Sequence, residues 1–465
     1  MYSTSVLPID FKKSFKPADI RGVYPEQIDE IVAYRVARAF VEEFEYKKIV
    51  VGYDMRLSTP SLLKAFIEGA KESGTSVVNI GMVRSPMVYF ASGHLNLPGA
   101  VITASHSPAE YNGIKLVEAG AVPLTAETGL SAIMKRVEKG VFTNAKKKGK
   151  VTRKTLGRKF QAYVLKGVEK KRFKGMTIVA DIGNGMSGVS MAALDRVLPV
   201  KFPMLFKEPD GHFPNRDSDP NLRKNQKALV AEIIKRKADF GIGFDGDGDR
   251  IAFLDEKGKY VNCAVIGALI AERLLIKEPK AGVVFTNLTS KVFEDTIVAC
   301  GGKAYRARVG HTFLKKKMRE KSAIFGAEHS GHFFWRDFYN TDSTVLTLLE
   351  VMEAFDEARM QGKTFSQMVK PYTLYQQTED VVIPVTDKKL VLAKIEAKLA
   401  KMRPEKVTKF DGYFVDFGDV WGAIKPSVTE FAIKLMFESK KKSDATKVQK
   451  ELFEFVASIA SKTKQ

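Results

Sequence analysis

Two segments bring chemically capable side chains together at short spacing. In Gly243-Phe244-Asp245-Gly246-Asp247-Gly248-Asp249-Arg250, three carboxylates alternate with two glycines. Anions held this close repel one another strongly. A hard divalent cation such as Mg²⁺ or Ca²⁺ takes carboxylate oxygens and removes that repulsion, and the glycines let the backbone curl so that three oxygens reach one ion. Asp245, Asp247, Asp249 and Glu256 also match the first, third, fifth and twelfth places of an EF-hand loop. The sixth place, where that loop needs glycine, is Arg250, and the apolar Ile251-Ala252-Phe253-Leu254 that follows reads as a strand. With no flanking amphipathic helices the EF-hand is set aside, leaving a solvated acidic turn as the alternative. Arg250 beside a metal suits phosphate, whose oxygens match the guanidinium fork.

The second segment is Thr103-Ala104-Ser105-His106-Ser107-Pro108, continuing to Tyr111-Asn112-Gly113-Ile114-Lys115. An apolar strand at 100–102 delivers a serine into a loop of small and polar residues. Pro108 stiffens the turn and Gly113 permits an unusual backbone angle. Serine alone is a weak nucleophile and needs a base or a metal nearby; His106 and Lys115 are the local candidates. Ser-His-Ser-Pro is equally good surface-turn chemistry, so both readings stand on local grounds. The two segments would cooperate if a metal held by Asp245, Asp247 and Asp249 kept a coordination position for a phosphate on Ser105, making Ser105 a fourth metal ligand.

Three further segments suit a polar substrate. Gly326-Ala327-Glu328-His329-Ser330-Gly331-His332 follows an apolar strand. Glu328 can accept several hydrogen bonds from sugar hydroxyls, and His332 can carry a proton near neutrality. Val309-Gly310-His311-Thr312 would place a ring and free N–H groups at a helix N-terminus, a ready anion site. The Lys315-Lys316-Lys317 run beyond it is expected to be solvated. Lys425-Pro426-Ser427-Val428-Thr429, between two strands, offers a cation and two hydroxyls for a phosphate, or is a polar hairpin turn.

The elements that must position these residues alternate strand, turn and helix. Strands are expected at 48–52, 76–80 and 100–103, with a helix over 60–73. The basic stretch 144–155 reads as an exposed linker. A second unit has strands at 177–181, 200–205 and 239–244, a turn at 183–185 and a helix over 187–198. A third has a helix over 264–275 and strands at 282–286, 303–307 and 323–325. The last part differs: strands at 378–384, 413–415, 421–425 and 429–438, with helices over 388–402 and 444–458. This is three related α/β units followed by a smaller α+β module.

The 465 residues suit three or four domains, and 45% hydrophobic content is enough for sizeable cores. The formal charge is +21. Nucleic acid is the obvious partner for such an excess, but no aromatic-interleaved basic stretch or zinc-finger spacing accompanies it, and a positive field also concentrates small anionic substrates. Cys263 and Cys300 form no C-x-x-C pair, which disfavours a zinc site or disulfide framework and fits a reducing compartment. Residues 1–10 lack a signal-peptide pattern and no stretch is long enough to span a bilayer. A soluble cytoplasmic protein with no membrane partner, monomeric or weakly dimeric, is expected.

These segments resemble those of the α-D-phosphohexomutases, most nearly the bacterial phosphomannomutase/phosphoglucomutase group. The resemblance runs from Phe15 to the final helix. It includes Phe15-Lys16-Pro17-Ala18-Asp19-Ile20-Arg21-Gly22, the serine loop, residues 181–185, the D-G-D-G-D-R loop, G-H-T-F-L-K-K-K-M and A-E-H-S-G-H. It implies an α/β fold of four domains around a central cleft: three related mixed-sheet domains (1–150, 151–256 and 257–370) and a smaller, mobile α+β domain (371–465). It implies a phosphoserine at Ser105 and Mg²⁺ on Asp245, Asp247, Asp249 and that phosphoserine. Arg21, Lys115, Arg250 and His332 would assist transfer, and His106 and His311 would lie beside the substrate. Glu328 and Ser330 would read sugar hydroxyls, while Lys425, Ser427 and Thr429 would hold the non-transferring phosphate. The implied reaction interconverts hexose 1-phosphate and hexose 6-phosphate, of mannose or glucose, through a hexose 1,6-bisphosphate that also serves as activator.

The chain departs from the family pattern at Ala18, Ser107, Leu288 (where a cleft lysine is expected) and Lys425 (where arginine is usual). Lysine keeps the charge but loses the bidentate fork. Phosphoglucosamine mutase is the nearest alternative, although Glu328-His329-Ser330 is closer to the mannose/glucose pattern. A non-catalytic sugar-phosphate or nucleic-acid binding protein is the alternative of another class.

Overall fold

The structure, a computed structural model, describes residues 9–427 and 431–462. Four sheets organise it. In the first, Lys48–Tyr53 lies between parallel neighbours Ser76–Met82 and Gly99–Ile102, after which the chain returns antiparallel as Tyr111–Glu118. The helices Thr59–Glu72 and Ser85–Leu95 make the crossovers that parallel pairing requires. Gly99–Ile102 is buried along its length, which is why it reads as an unbroken apolar run.

The second and third sheets repeat this plan. Phe240–Phe244 runs parallel to Ile178–Asp181, then the chain returns antiparallel as Ile251–Leu254. Phe325–Ala327 runs parallel to Gly282–Thr286, then returns antiparallel as Phe333–Trp335. The serine loop, the aspartate loop and the Glu328–His332 loop are therefore equivalent connections, each leaving the carboxyl end of a buried strand. That is where open α/β sheets place their sites.

Residues from all three units close one core. Phe90, on helix Ser85–Leu95, lies 5.5 Å from Phe160 and 6.4 Å from Phe338, ring to ring. Burying each such ring contributes about 1.5–3 kcal/mol. The fourth sheet is antiparallel, with Ala432–Ser439 paired along Val420–Pro426. Helices Lys388–Met402 and Lys442–Lys462 pack Ile395 and Leu452 into a separate core. It meets the third unit through a small apolar junction of Leu288, Ala423 and Met436. No described helix is long and apolar enough to cross a membrane, and both cysteines are free.

Several expectations are corrected. The 144–155 stretch is not wholly a linker, because Val151–Arg153 joins the first sheet parallel to Ser76–Met82 as an exposed edge strand. The strand expected over 200–205 shortens to Met204–Leu205, since Pro203 has no N–H to give the ladder. The strand expected over 323–325 falls at Phe325–Ala327, and the last strand is Ala432–Ser439. Helices Glu30–Glu43, Lys227–Arg236 and Thr344–Met360 add to those expected. The first is capped by Asp29, whose Oδ1 accepts from Val32 N at 2.8 Å.

Candidate active site

Ser105 sits one residue pair beyond Gly99–Ile102, buried, at φ +53°. That left-handed geometry costs a non-glycine residue about 1–2 kcal/mol and must be held by its surroundings. Arg56 holds it. Its Nη2 donates to the Ser105 and Ser107 carbonyls at 2.9 and 2.5 Å, and its Nη1 to those of Pro108 and Tyr111 at 2.5 and 2.8 Å. Asp54, 3.3 Å from Arg56 Nε, balances the buried charge. Ser105 Oγ donates to Asp245 Oδ2 at 3.0 Å, with His106 Nδ1 at 3.4 Å. The two loops approach so closely that a Cβ on Gly246 would stand 2.7 Å from the Ser105 carbonyl.

Asp245, Asp247 and Asp249 are fully buried, and one oxygen from each falls within a 4.8 Å cluster. Lys115 Nζ bridges Asp247 and Asp249 at 2.7 and 2.6 Å. Ser85 Oγ also donates to Asp247 Oδ2, while Asp247 Oδ1 has no hydrogen-bond partner. Burial and the repulsion of its two neighbours push the Asp245 pKa well up. Asp249 is equally buried, but Lys115 and His332 outweigh burial and hold its carboxyl well below the usual range. Three buried carboxylates under mutual repulsion, one with an unused oxygen, are the donor set of a hard divalent cation.

The third loop closes over the same cluster. His332 Nε2 lies 3.2 Å from Asp249, and its Nδ1 lies 2.9 Å from Ser330 Oγ and 3.2 Å from Glu328. Burial disfavours the imidazolium, but Asp249 and Glu328 overcome it and raise the pKa to about 9. Glu328 Oε2 accepts from Ser330, and its Oε1 accepts from Gly310 N at 3.0 Å, which ties this loop to the start of helix His311–Lys321. His311 stacks on His332 with ring centroids 5.7 Å apart. Burial, then Lys315 and Lys115, lower its pKa well below the ordinary value. Arg250 reaches the cluster from the rim, its backbone N donating to Asp245 at 3.1 Å. Arg21 is held by Asp19 and donates to Ser107 Oγ at 3.3 Å.

The expectation of a solvated lysine run fails at Lys315. Its ammonium is buried, 2.5 Å from Asp342 and 3.8 Å from the Tyr89 ring centre. Lys316 and Lys317 remain at the surface. The run is helical, so one lysine in three turns inward.

On the fourth unit, Lys425 is buried and donates to Asp411 at 2.7 Å. Asp411 also accepts from Val309 N at 2.9 Å, linking this loop to Gly310 and hence to Glu328. Ser427 is buried, and its carbonyl accepts from Lys388 Nζ at 2.7 Å. Thr429 lies outside the described residues. Leu288 faces Ala423 and Met436 rather than a polar cleft. The geometry thus gathers Ser105, His106, Arg21, Lys115, the three aspartates, Arg250, His311, Glu328, Ser330 and His332 into one connected network. Lys425 and Ser427 join it through backbone links. Sequence reasoning missed Arg56, Asp54 and Ser85. The Asp54-x-Arg56 pair just after an apolar strand was the available signal.

Three family models cover most of the chain. Those for alpha/beta/alpha domains I, II and III of phosphoglucomutase/phosphomannomutase match residues 12–144, 158–258 and 264–375. "Phosphohexose mutases" of Xanthomonas campestris pv. campestris are 32% identical over 429 residues, 92% of this chain and 95% of theirs. The phosphomannomutase of Salmonella montevideo is 32% identical over 435 residues, 92% of this chain and 94% of its own. The crystal structure of a phosphoglucomutase/phosphomannomutase family protein from Burkholderia thailandensis superposes with a TM-score of 0.88 at 26% identity, covering 97% of this chain and 98% of that one.

Proposed function

Since the chain belongs to the phosphoglucomutase/phosphomannomutase family and is a phosphohexomutase, an intramolecular phosphotransferase, we propose that it interconverts the 1- and 6-phosphates of mannose or glucose through a phosphoserine at Ser105. The observation that carries this reading is Ser105 Oγ, 3.0 Å from Asp245 and braced by Arg56. A buried serine in a strained conformation, fixed from behind and turned toward a carboxylate cluster, is a group held for transfer.

In this reading the P–O bond to Ser105 breaks as the free hydroxyl of a bound hexose phosphate bonds to phosphorus, and the proton that hydroxyl loses is balanced by the one the departing serine oxygen gains. The hexose 1,6-bisphosphate turns over, its other phosphoryl returns to Ser105, and added bisphosphate restores phosphate to an empty serine. Mg²⁺ on Asp245, Asp247 and Asp249 would supply charge neutralisation at the transferring phosphoryl group. Lys115, Arg250 and Arg21 surround the serine loop with positive charge that suits a phosphoryl group. His332, raised to about 9, carries a proton at neutral pH beside the cluster. Glu328 and Ser330 face the sugar, His106 and His311 flank it, and Lys425, Ser427 and Thr429 hold the resting phosphate.

Intact mass before and after a hexose 1,6-bisphosphate tests the intermediate: one added phosphoryl on Ser105 is expected, and none under turnover conditions overturns it. Coupled assays with mannose, glucose and glucosamine 1-phosphates test the substrate. Turnover of the amino sugar alone replaces this reading with phosphoglucosamine mutase. No turnover of any of them replaces it with a sugar-phosphate binding protein.

A further inference from the structure

A cavity of about 380 Å³ lies between the first and second units, with Val345 of the third also in its wall. Its walls are apolar, Phe160 and Val197 among them, and Met82 and Val189 stand exposed at its mouth. Three arginines also line it, Arg84, Arg158 and Arg196, and no carboxylate does. Arg84 is buried. Its Nη1 donates to Thr344 Oγ1 at 3.0 Å, its Nη2 has no hydrogen-bond partner, and its guanidinium lies 5.5 Å over the Phe160 ring. Burial with no offsetting carboxylate pulls its pKa down. A buried cation left without a counter-charge is costly, and natural proteins pair such groups. The cavity therefore presents positive charge on an apolar surface, which complements an apolar anion and not a sugar phosphate, whose hydroxyls would find few partners there.

We propose that this cavity binds a small apolar monoanion, a carboxylate on a hydrocarbon chain of medium length, and couples its occupancy to the aspartate loop. The residues around it hold three successive carbonyls of that loop. Met186, in the cavity wall, donates from N to Gly246 O at 2.8 Å. Ser85, next to Arg84, donates from N to Asp247 O at 3.0 Å. Thr344, the partner of Arg84, donates from Oγ1 to Gly248 O at 3.1 Å. An anion that draws Arg84 toward the cavity shifts the bracing of the loop, and coupling of this kind is reciprocal.

The test is calorimetric titration of the full chain with decanoate, with decan-1-ol as the neutral control, in the presence and absence of Mg²⁺. Decanoate should fill one saturable site, and the alcohol should bind at least about tenfold more weakly. Val189→Glu, at an exposed position, should weaken decanoate about tenfold by like-charge repulsion while leaving decanol binding and mutase turnover unchanged. Mg²⁺ should change the decanoate Kd about fivefold or more. Absence of saturable binding, equal binding of the alcohol, or an unchanged Kd in Val189→Glu overturns the site; a Kd indifferent to Mg²⁺ overturns the coupling. Binding is read without turnover, so these outcomes are distinct from failure of the mutase reading.

Discussion

In the proposed reaction Ser105 acts as a nucleophile by position more than by type. Its Oγ has Asp245 at 3.0 Å and His106 at 3.4 Å, and its backbone is pinned at φ +53°. Ser105→Ala removes only the hydroxyl, so turnover and the phosphoryl mass increment should vanish while thermal unfolding stays within the small range of a conservative change. Retained turnover would end the phosphoserine reading. Arg56 makes the sharper case, since one guanidinium serves four carbonyls of the serine loop. Arg56→Lys keeps the charge beside Asp54 but leaves carbonyls unserved. It should lower kcat at least about tenfold through misplacement of the serine, with KM changing less, as steady-state kinetics would show. A variant with wild-type kcat would mean that the loop holds its shape without the clamp.

The loops owe their chemistry to the strands that launch them. The aspartate loop crowds three buried carboxylates, and Lys115 and His332 offset only part of their repulsion. Chelation with EDTA should abolish turnover and Mg²⁺ should restore it. Mg²⁺ should also raise the unfolding temperature, because an ion bound only by the folded chain stabilises it; calorimetry that shows no shift would count against a metal on these aspartates. In helix His311–Lys321, adjacent lysines differ sharply. Lys315→Met leaves Asp342 charged and buried without its partner, which should cost about 3–5 kcal/mol in denaturant unfolding. Lys316→Met, at the surface, should stay within about 0.5 kcal/mol. Equal effects would contradict the inward turn of Lys315.

Between the units, the first three share one core, while the fourth has its own and meets the third through a small apolar junction and polar links such as Ser290 Oγ to Glu438 and Asn287 to the Phe410 carbonyl. Asp411 is central to that junction, because it takes both Lys425 and Val309 N–H, and Gly310 next in sequence donates to Glu328. Asp411→Ala should therefore raise KM for hexose phosphate several-fold, with a smaller change in kcat, since it loosens a binding loop and leaves Ser105 untouched. An equal fall in kcat and kcat/KM would place Asp411 in the transfer step instead.

Much of the site was legible because its chemistry is local. Three aspartates alternating with glycines, and a serine leaving an apolar strand, carry their meaning within a few residues, and the strand–helix alternation carries the fold class. The resemblance extended this to Arg21, which has no local signal of its own, and gave roles to His332 and Lys425, whose local segments left turn readings open. Tertiary structure alone decided what depends on distance along the chain. Ser105 and Asp245 are 140 residues apart, and they meet because three sheets repeat one topology and present equivalent loops to a shared space. Burial of Lys315, the Arg56 clamp, the apolar seat of Leu288 and the arginine-lined cavity belong to the same class. Charge and polarity are written residue by residue, whereas burial is a property of what packs against a side chain, and that is settled only when the units close on one another.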